Sequence, residues 1–177
     1  ALRSLWVLRN SPSSADYETR AFYSWNPLQR YRQRQRYRIA LDYIADHQRI
    51  LDVGCGASQT LNAAPQSVGL DILHQKLRFM RRPARSLVNA TATALPFADT
   101  VFEMIIASQM LEELTDVDAA LLEFSRCLED NGVLLVGTEA ASLAFQEKIT
   151  ANGFEILESR QVLGREVMMR AQKNYSS

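Results

Sequence analysis

Short apolar runs alternate with helical stretches along most of the chain, from Arg49 onward. This alternation is typical of an α/β fold with a doubly wound, mostly parallel sheet, so we predict that fold class. The predicted strands are residues 50–53, 67–71, 86–89, 101–107 and 133–138. The predicted helices between and after them are residues 58–64, 74–82, 116–129 and 140–152.

The C-terminal part of the chain carries two further apolar runs, "FEILESRQV" and "REVMMRAQK", on either side of Gly164. Two strands joined by so short a connection pair antiparallel. The sequence therefore predicts an antiparallel C-terminal strand pair beside the parallel strands.

A helix is also predicted upstream of the first strand. Asn26 followed by Pro27 is typical of a helix N-cap and first helical residue, and the helix is expected to run to about Asp46. Its second half can face a core, because apolar residues recur there at helical spacing. We therefore divide the chain into residues 1–46, an N-terminal segment that is a candidate substrate lid, and residues 47–177, the core.

Charge is unevenly distributed, although the formal net charge is zero. Residues 1–86 carry fourteen Lys and Arg against six Asp and Glu, and residues 87–177 carry six against fourteen. Five of the arginines alternate with other residues in "RYRQRQRYR", from Arg30 to Arg38. This helical segment either pairs with acids and water or holds an anion such as a phosphate, a carboxylate or a nucleic-acid backbone.

Several classes of protein are disfavoured by composition. Two cysteines cannot form a disulfide framework, and with two histidines the sequence indicates no metal cluster. No apolar run approaches the roughly 20 residues of a membrane span, and arginines interrupt the start of the chain where a signal peptide would be apolar. We expect a reducing, cytoplasmic setting, with Cys55 as a small packing residue.

The segment "ILDVGCGASQTL" places Gly54 and Gly56 directly after the first predicted strand. A ligand at the carboxyl end of such a strand needs bare backbone beside it. Asp71, nineteen residues after Asp52, ends the next strand, where a carboxylate can accept ribose hydroxyls. Gln59 stands where a dinucleotide fingerprint needs glycine, so the pattern disfavours NAD and FAD.

These motifs resemble the class I S-adenosylmethionine-dependent methyltransferases, in particular the methyltransferase type 11 group, over about residues 48–139. The segments that carry the resemblance are "ILDVGCGAS", "VGLDI", "ALPFADTVFEMII", "SQMLEEL" and "EFSRCLEDNGVLLVGTE". The resemblance implies a Rossmann-like sheet, S-adenosylmethionine as cofactor and S-adenosylhomocysteine as product.

The resemblance also implies roles for individual residues. Gly54 and Gly56 would lie beside the methionine part of the cofactor, and Asp52 would order that loop and its ammonium. Asp71 would bind the ribose, and Ile72 would lie against the adenine. The other cofactor-binding residues implied in this way are Thr91, Ala92, Ser108 and Gln109.

The chain departs from the family pattern at two positions near these residues. Thr91 stands where the family usually has an Asp that bonds the adenine amino group, although Asn89 could compensate. Glu113 replaces a common histidine. Glu112 and Glu113 are either candidates for a catalytic base or exposed acids at a helix start.

The predicted function is methyl transfer to a small-molecule or glycan/lipid-type acceptor, with Tyr17, Tyr23 and Trp25 as candidate lid residues over it. Two alternatives stay open. One is an S-adenosylmethionine-binding regulatory or partner subunit without transfer activity. The other is a nucleic-acid methyltransferase that uses the Arg30–Arg38 helix, although no N-P-P-Y or D-P-P-Y motif occurs in the sequence. The oligomeric state and the acceptor atom are open.

Overall fold

The computed structural model describes residues 14–83, 85–139 and 141–174. The helices in this part of the chain are α1 (Tyr17–Phe22), α2 (Pro27–Ile44), α3 (Thr60–Ala63), α4 (His74–Met80), α5 (Val117–Cys127) and α6 (Leu143–Ala151). The strands are β1 (Ile50–Val53), β2 (Val68–Asp71), β3 (Ser86–Asn89), β4 (Phe102–Ser108), β5 (Leu128–Thr138), β6 (Phe154–Leu163) and β7 (Glu166–Lys173). A short 3-10 turn, Leu111–Glu113, follows β4.

The strands form one sheet of seven, in the order β3-β2-β1-β4-β5-β7-β6. The first five pair parallel, whereas β7 runs antiparallel to both β5 and β6. The predicted α/β fold with an antiparallel C-terminal pair is therefore confirmed. The chain leaves β1 toward β2 and β3 on one side and returns to β4 and β5 on the other, so the strand order reverses at β1 and β4.

Helices cover both faces of the sheet. Because successive strand residues face opposite sides, neighbouring residues of one strand pack against different helices. In β4, Ile106 lies in one buried cluster with Ile39 and Ile44 of α2. Its neighbour Ile105 lies in another cluster with Phe124 of α5. Both faces of the central strands are apolar for this reason, as expected for a parallel sheet.

The largest difference from the predicted elements is at β5, which begins at Leu128 rather than at residue 133. Its pairing with β4 jumps from Phe102↔Leu128 to Met104↔Val133. Asn131 adopts a positive φ of 63° within the irregularity. The sequence does not indicate this strand start, because the polar "EDN" run interrupts the apolar pattern. Its residues have no partner on β4 and are partly exposed.

Helix α2 begins where the sequence predicts. The Asn26 side chain accepts hydrogen bonds from the backbone N–H groups of Leu28 and Gln29, at 3.0 and 3.3 Å, and Pro27 occupies the first turn. The arginine-rich segment is therefore helical. No helix among the described residues is long and apolar enough to cross a membrane.

Two arginines of α2 tie it to the far end of the sheet. The Nε atoms of Arg32 and Arg36 both lie against the carboxylate of Glu166 at the start of β7, with 2.8 Å between Arg32 Nε and Glu166 Oε2. Glu166 is fully buried. Arg32 also contacts Glu139, just after β5, at 2.7 Å. These two arginines therefore pair with acids that are distant in sequence.

Candidate active site

A cleft of about 1270 Å³ opens at the carboxyl ends of β1, β2 and β4, where the strand order reverses. This edge is where open α/β sheets bind ligands. The lining includes most of the residues singled out from the sequence: Asp52, Gly54, Asp71, Ile72, Thr91, Ala92, Ser108, Gln109, Glu112 and Glu113. Parallel strands thus bring together motifs that are up to 61 positions apart in the chain.

The glycine loop after β1 requires its glycines for two reasons. Gly54 and Gly56 have φ values of +66° and +49°, a region in which side chains are strained. A Cβ atom on Gly56 would lie 2.6 Å from the carboxylate of Glu18, and one on Gly54 would lie 2.9 Å from Cβ of Met110. Gly54 lines the cleft, whereas Gly56 is buried against Glu18 and is not part of the lining, so the loop needs bare backbone at both positions for different reasons.

Asp71 ties this loop to the end of β2. One carboxylate oxygen accepts the N–H of Gly56 and the other accepts the N–H of Leu73, each at 2.8 Å. Each oxygen of an ionised carboxylate keeps further acceptor capacity, so Asp71 can still accept hydroxyl groups from a ligand. Asn89 donates its amide to the carbonyls of Asp71 and Ile72, at 2.8 and 3.0 Å. The amide nitrogen of Asn89 is therefore engaged by the protein.

Asp52 has a different environment from Asp71. It is buried, and its Oδ2 atom has no hydrogen-bond partner among the described residues. Burial raises the pKa of Asp52 to about 7, and the charges of Asp71 and Glu18 act in the same direction, against a hydrogen bond from Ser58. A cationic group in the cleft would favour the ionised carboxylate.

Residues after β4 form the wall opposite Asp71. Gln109 has a φ of +57°, and its N–H donates to the carbonyl of Gly137 at 2.7 Å. Its side-chain Nε2 is buried and has no partner among the described residues. Because that nitrogen can only donate, it suits an acceptor oxygen of a ligand.

Thr91 and Ile72 lie at the outer end of the cleft. The Thr91 hydroxyl lies 3.0 Å from that of Thr93. Ile72 is 68% exposed although it is aliphatic, so it presents an unpacked apolar surface at the cleft.

Glu112 and Glu113 lie on the exposed 3-10 turn, and both line the cleft. Glu112 Oε1 accepts hydrogen bonds from the Thr138 hydroxyl and the Glu139 N–H, both at 3.3 Å. Glu112 is therefore held in place from the end of β5, and Glu113 shows no such contact among the described residues.

Helix α1 supplies site residues that the sequence analysis missed. Glu18 Oε2 accepts the N–H of Ala57 at 3.0 Å, and its Oε1 pairs with Nζ of Lys76 at 2.5 Å. The Thr19 hydroxyl donates to the Ala57 carbonyl at 3.1 Å. The helix thus covers the glycine loop. An acid in a short N-terminal helix has no local signal that would have revealed this contact.

The three candidate lid residues separate in the structure. Tyr17 lines the cleft, whereas Tyr23 and Trp25 are 61% and 98% exposed and are not part of its lining. Tyr23 and Trp25 lie beyond the end of α1, where the chain turns toward α2.

Cys55 packs behind the loop in a buried cluster with Leu61 and Leu77. Burial raises the pKa of its thiol well above the ordinary value, and the nearby charges of Asp52 and Asp71 act in the same direction. Cys55 is therefore a packing residue in its protonated form. Among the described residues, no group of three or more His, Cys, Asp or Glu side chains could hold a metal ion.

Residues 51–136 match the family model for the methyltransferase domain. Most residues that line the cleft described above fall within this stretch. Over residues 51–136 the chain is similar to the methyltransferase domain family.

The chain also has relatives among curated proteins and solved structures. The ubiquinone/menaquinone biosynthesis C-methyltransferase of Xylella fastidiosa strain M23 is 32% identical over 152 residues, which cover 74% of this chain and 56% of that protein. The chain spans about half the length of the curated relatives it matches.

Solved structures share the fold of the chain at low sequence identity. N-methyltransferase NodS from Bradyrhizobium japonicum WM9, solved with S-adenosylhomocysteine, has a TM-score of 0.67 at 18% identity and covers 85% of this chain and 89% of its own. The methyltransferase in the Haloferax volcanii complex with the Trm112 activator has a TM-score of 0.68 at 13% identity. The match covers 88% of this chain and 97% of that chain.

Proposed function

We propose that the chain is an S-adenosylmethionine-dependent methyltransferase. The observation that carries the proposal is the convergence in one cleft of the bare glycine loop, the tethered Asp71 and the buried Asp52 with an unpartnered oxygen. The match of residues 51–136 to the methyltransferase domain supports the same conclusion.

The donors and acceptors of the cleft fit this cofactor. Asp52 would hold the ammonium, because a buried carboxylate oxygen without a partner favours a cation. The Gln109 amide nitrogen would donate to the carboxylate of the methionine part. Asp71 would accept the ribose hydroxyls. The remaining residues of the proposed cofactor site are Gly54, Gly56, Ile72, Thr91, Ala92 and Ser108.

When bound, the cofactor supplies a methyl group that is already activated on a sulfonium. The protein must then orient the acceptor and exclude water, and such positioning can supply roughly 7 to 11 kcal/mol. Tyr17 and Phe22 of α1 and Met110 and Met168 of the opposite wall line the cleft and would exclude water. Glu112, oriented by Thr138 and Glu139, is the proposed base for a hydroxyl proton of the acceptor.

We propose a hydroxylated aromatic ring with an apolar tail as the acceptor. The names of the curated relatives, which include ubiquinone/menaquinone biosynthesis C-methyltransferases, favour this class. The mixed lining of the cleft also favours it: Ile106, Leu114 and Met168 are apolar, and Glu112 is a candidate base beside them. Loss of the ring hydroxyl proton to Glu112 would make the ring carbon next to it nucleophilic.

Calorimetry and a transfer assay test the proposal together. We expect S-adenosylhomocysteine to bind the wild-type protein, and Asp71→Ala to weaken that binding at least tenfold. Asp99→Ala, which removes a carboxylate remote from the cleft, is the control. Labelled methyl from S-adenosylmethionine should reach a hydroxylated quinol with an isoprenoid tail. Unaltered affinity in Asp71→Ala would refute the cofactor assignment.

A cofactor-binding partner subunit without transfer activity is the second candidate. The observation that favours it is the Thr91 hydroxyl, which lies beside that of Thr93 and offers a weaker acceptor than the Asp usual at this position. Binding of S-adenosylhomocysteine without labelling of any acceptor would support this candidate over the first.

The nucleic-acid alternative is weakened by the ion pairs of α2. Arg32 and Arg36, the two arginines of the helix that line the cleft, pair with Glu139 and Glu166. Their charge is therefore largely neutralised beside the site where a phosphate backbone would need it.

A further inference from the structure

Apolar and basic side chains lie exposed at the α1–α2 junction and along α2. Tyr23, Trp25, Leu28 and Tyr31 are 61%, 98%, 57% and 45% exposed, and they are four of the nine large exposed hydrophobic residues in the described part of the chain. We call this surface the basic aromatic strip; it comprises Tyr23, Trp25, Leu28, Tyr31, Arg34 and Arg38.

The helix geometry places the strip on one side of α2. At 3.6 residues per turn, Leu28, Tyr31, Arg34 and Arg38 fall within about a third of the helix circumference. The rest of the circumference carries Arg32 and Arg36, which pair with Glu166, and the apolar residues that pack on the sheet. The strip therefore faces away from the core, on a helix whose first turn is fixed by the Asn26 cap.

The arginines of the strip lack acidic partners. Within the described residues, Arg34 contacts the ring of Phe22 and Arg38 donates to the side-chain oxygen of Gln35. Three of the four acids in residues 1–46 are engaged elsewhere: Asp16 with Arg20, Glu18 with Lys76 and Asp42 with Arg160. The fourth, Asp46, lies beyond the end of α2. Residues 1–15 contain no Asp or Glu. The strip thus carries uncompensated positive charge.

The strip is continuous with the mouth of the cleft. Leu28, which is part of the strip, also lines the cleft, as do its neighbours Asn26 and Gln29. A surface seated on the strip would therefore meet the cleft at its opening.

We propose that the basic aromatic strip docks on an anionic lipid bilayer. Exposed Trp, Tyr and Leu side chains enter the interface between headgroups and acyl chains, and arginines on the same face attract anionic headgroups. A single-stranded nucleic acid would also attract arginines and stack on aromatic rings, but the aliphatic Leu28 offers no stacking surface. A protein docked in this way could take a lipid acceptor from the bilayer into the cleft. Only this last step rests on the proposed function.

Co-sedimentation with vesicles tests the docking without cofactor or acceptor. We expect the protein to bind vesicles of phosphatidylcholine with phosphatidylglycerol, and to bind phosphatidylcholine alone weakly. Added salt should reduce the binding, because it screens exposed charges. Trp25→Ala and Arg38→Glu should each weaken vesicle binding. The loss of one arginine contact should lower the affinity for the vesicles about fivefold.

Matched variants control for general changes in charge and hydrophobicity. Leu143→Ala removes an apolar side chain that is 71% exposed, and Arg165→Glu reverses an exposed charge in the β6–β7 turn. Both should bind vesicles nearly as the wild type does. Equal binding by Trp25→Ala, Arg38→Glu and the wild type would overturn the proposal.

Other occupants of the strip give distinct results. Concentration-dependent dimers that Trp25→Ala abolishes, without vesicle binding, would identify a second copy of the chain and overturn the proposal. Binding of a single-stranded oligonucleotide that excludes vesicles would overturn it as well. Vesicle binding with no methyl transfer would refute only the proposed function, and methyl transfer with no vesicle binding would refute only the docking.

Discussion

Two carboxylates at neighbouring strand ends have opposite surroundings. Asp71 accepts two backbone N–H groups, through which it holds the glycine loop to the end of β2. Asp52 is buried with an unpartnered oxygen, and burial raises its pKa to about 7. The consequences of this difference can be measured one residue at a time.

The affinity for S-adenosylhomocysteine should depend on pH through Asp52. The pKa of Asp52 is about 7, so its carboxylate is mostly protonated below pH 7 and mostly ionised above it. Because the proposed ammonium contact needs the ionised form, affinity should fall by up to about tenfold per pH unit below 7. Calorimetry from pH 6 to pH 8 measures this dependence. Asp52→Asn should bind weakly without the pH step, and a step that persists in that variant would contradict the assignment.

Asp52 should also make the fold less stable at high pH. Its pKa is raised from the ordinary value to about 7 in the folded state, so the folded protein binds more protons than the unfolded chain between these values. The free energy of unfolding contributed by this group is therefore lost as pH rises toward and through 7. The free energy of unfolding of Asp52→Asn, measured relative to the wild type, should therefore be higher at pH 8 than at pH 5. Urea unfolding at both pH values provides the measurement.

Gly56 should not tolerate a side chain, for steric as well as conformational reasons. Gly56→Ala adds a Cβ 2.6 Å from the Glu18 carboxylate, in addition to the strain of a positive φ. Gly164→Ala is the matched control, since its φ is +61° and nothing lies within 4 Å of the added atom. In both variants, backbone strain should lower the free energy of unfolding by about 1 to 2 kcal/mol. Only Gly56→Ala should also lose affinity for S-adenosylhomocysteine, and equal affinities would contradict the collision.

At the scale of elements, the position of α2 depends on a buried ion-pair cluster. Glu166 at the start of β7 is fully buried and contacts Arg32 and Arg36 of α2. The side chains of Tyr43 and Asp42 reach Glu158 and Arg160 of β6, both at 2.6 Å. The helix is thus held to the antiparallel strands by polar contacts as well as by its apolar face.

Removal of the central acid should destabilise the protein strongly. Glu166→Ala leaves two arginine charges without their buried partner, which typically costs about 3 to 5 kcal/mol. Glu139→Ala removes an exposed carboxylate from the same Arg32 and should cost under about 1 kcal/mol. Chemical denaturation of the two variants makes the comparison. Similar losses in both would show that the Glu166 contacts do not anchor the helix.

At the scale of the molecule, the site is assembled from both ends of the described chain. Helix α1 covers the glycine loop through Glu18, and β4 together with Met168 of β7 supplies the opposite wall. A ligand that contacts all of these parts couples them, so its binding should stabilise the whole fold.

S-adenosylhomocysteine should therefore raise the midpoint of thermal unfolding. A ligand at a hundred times its Kd adds about 2.7 kcal/mol of stability by mass action. Asp71→Ala should show almost no ligand-dependent shift, whatever its own midpoint. Differential scanning fluorimetry over a ligand series measures both proteins. A shift of equal size in the variant would contradict the role of Asp71.

Local patterns were sufficient to predict most of the elements. The five parallel strands and the helix start at Asn26 follow from short-range signals, namely apolar runs and a capping residue. The start of β5 was misplaced because a bulged strand has no regular alternation. The roles of Glu18, Lys76 and Glu166 could not be predicted, since each depends on a partner more than fifty residues away.

The sequence by itself determined the α/β class, the glycine turn after the first strand and the acid at the end of the second, because each is a preference of neighbouring residues. Only the tertiary structure decided that α1 covers the glycine loop, and that Arg32 and Arg36 are neutralised while Arg34 and Arg38 have no acidic partner within the described part of the chain. The reason is physical: the energy of a charge depends on which groups and how much water surround it, and the folded chain sets both.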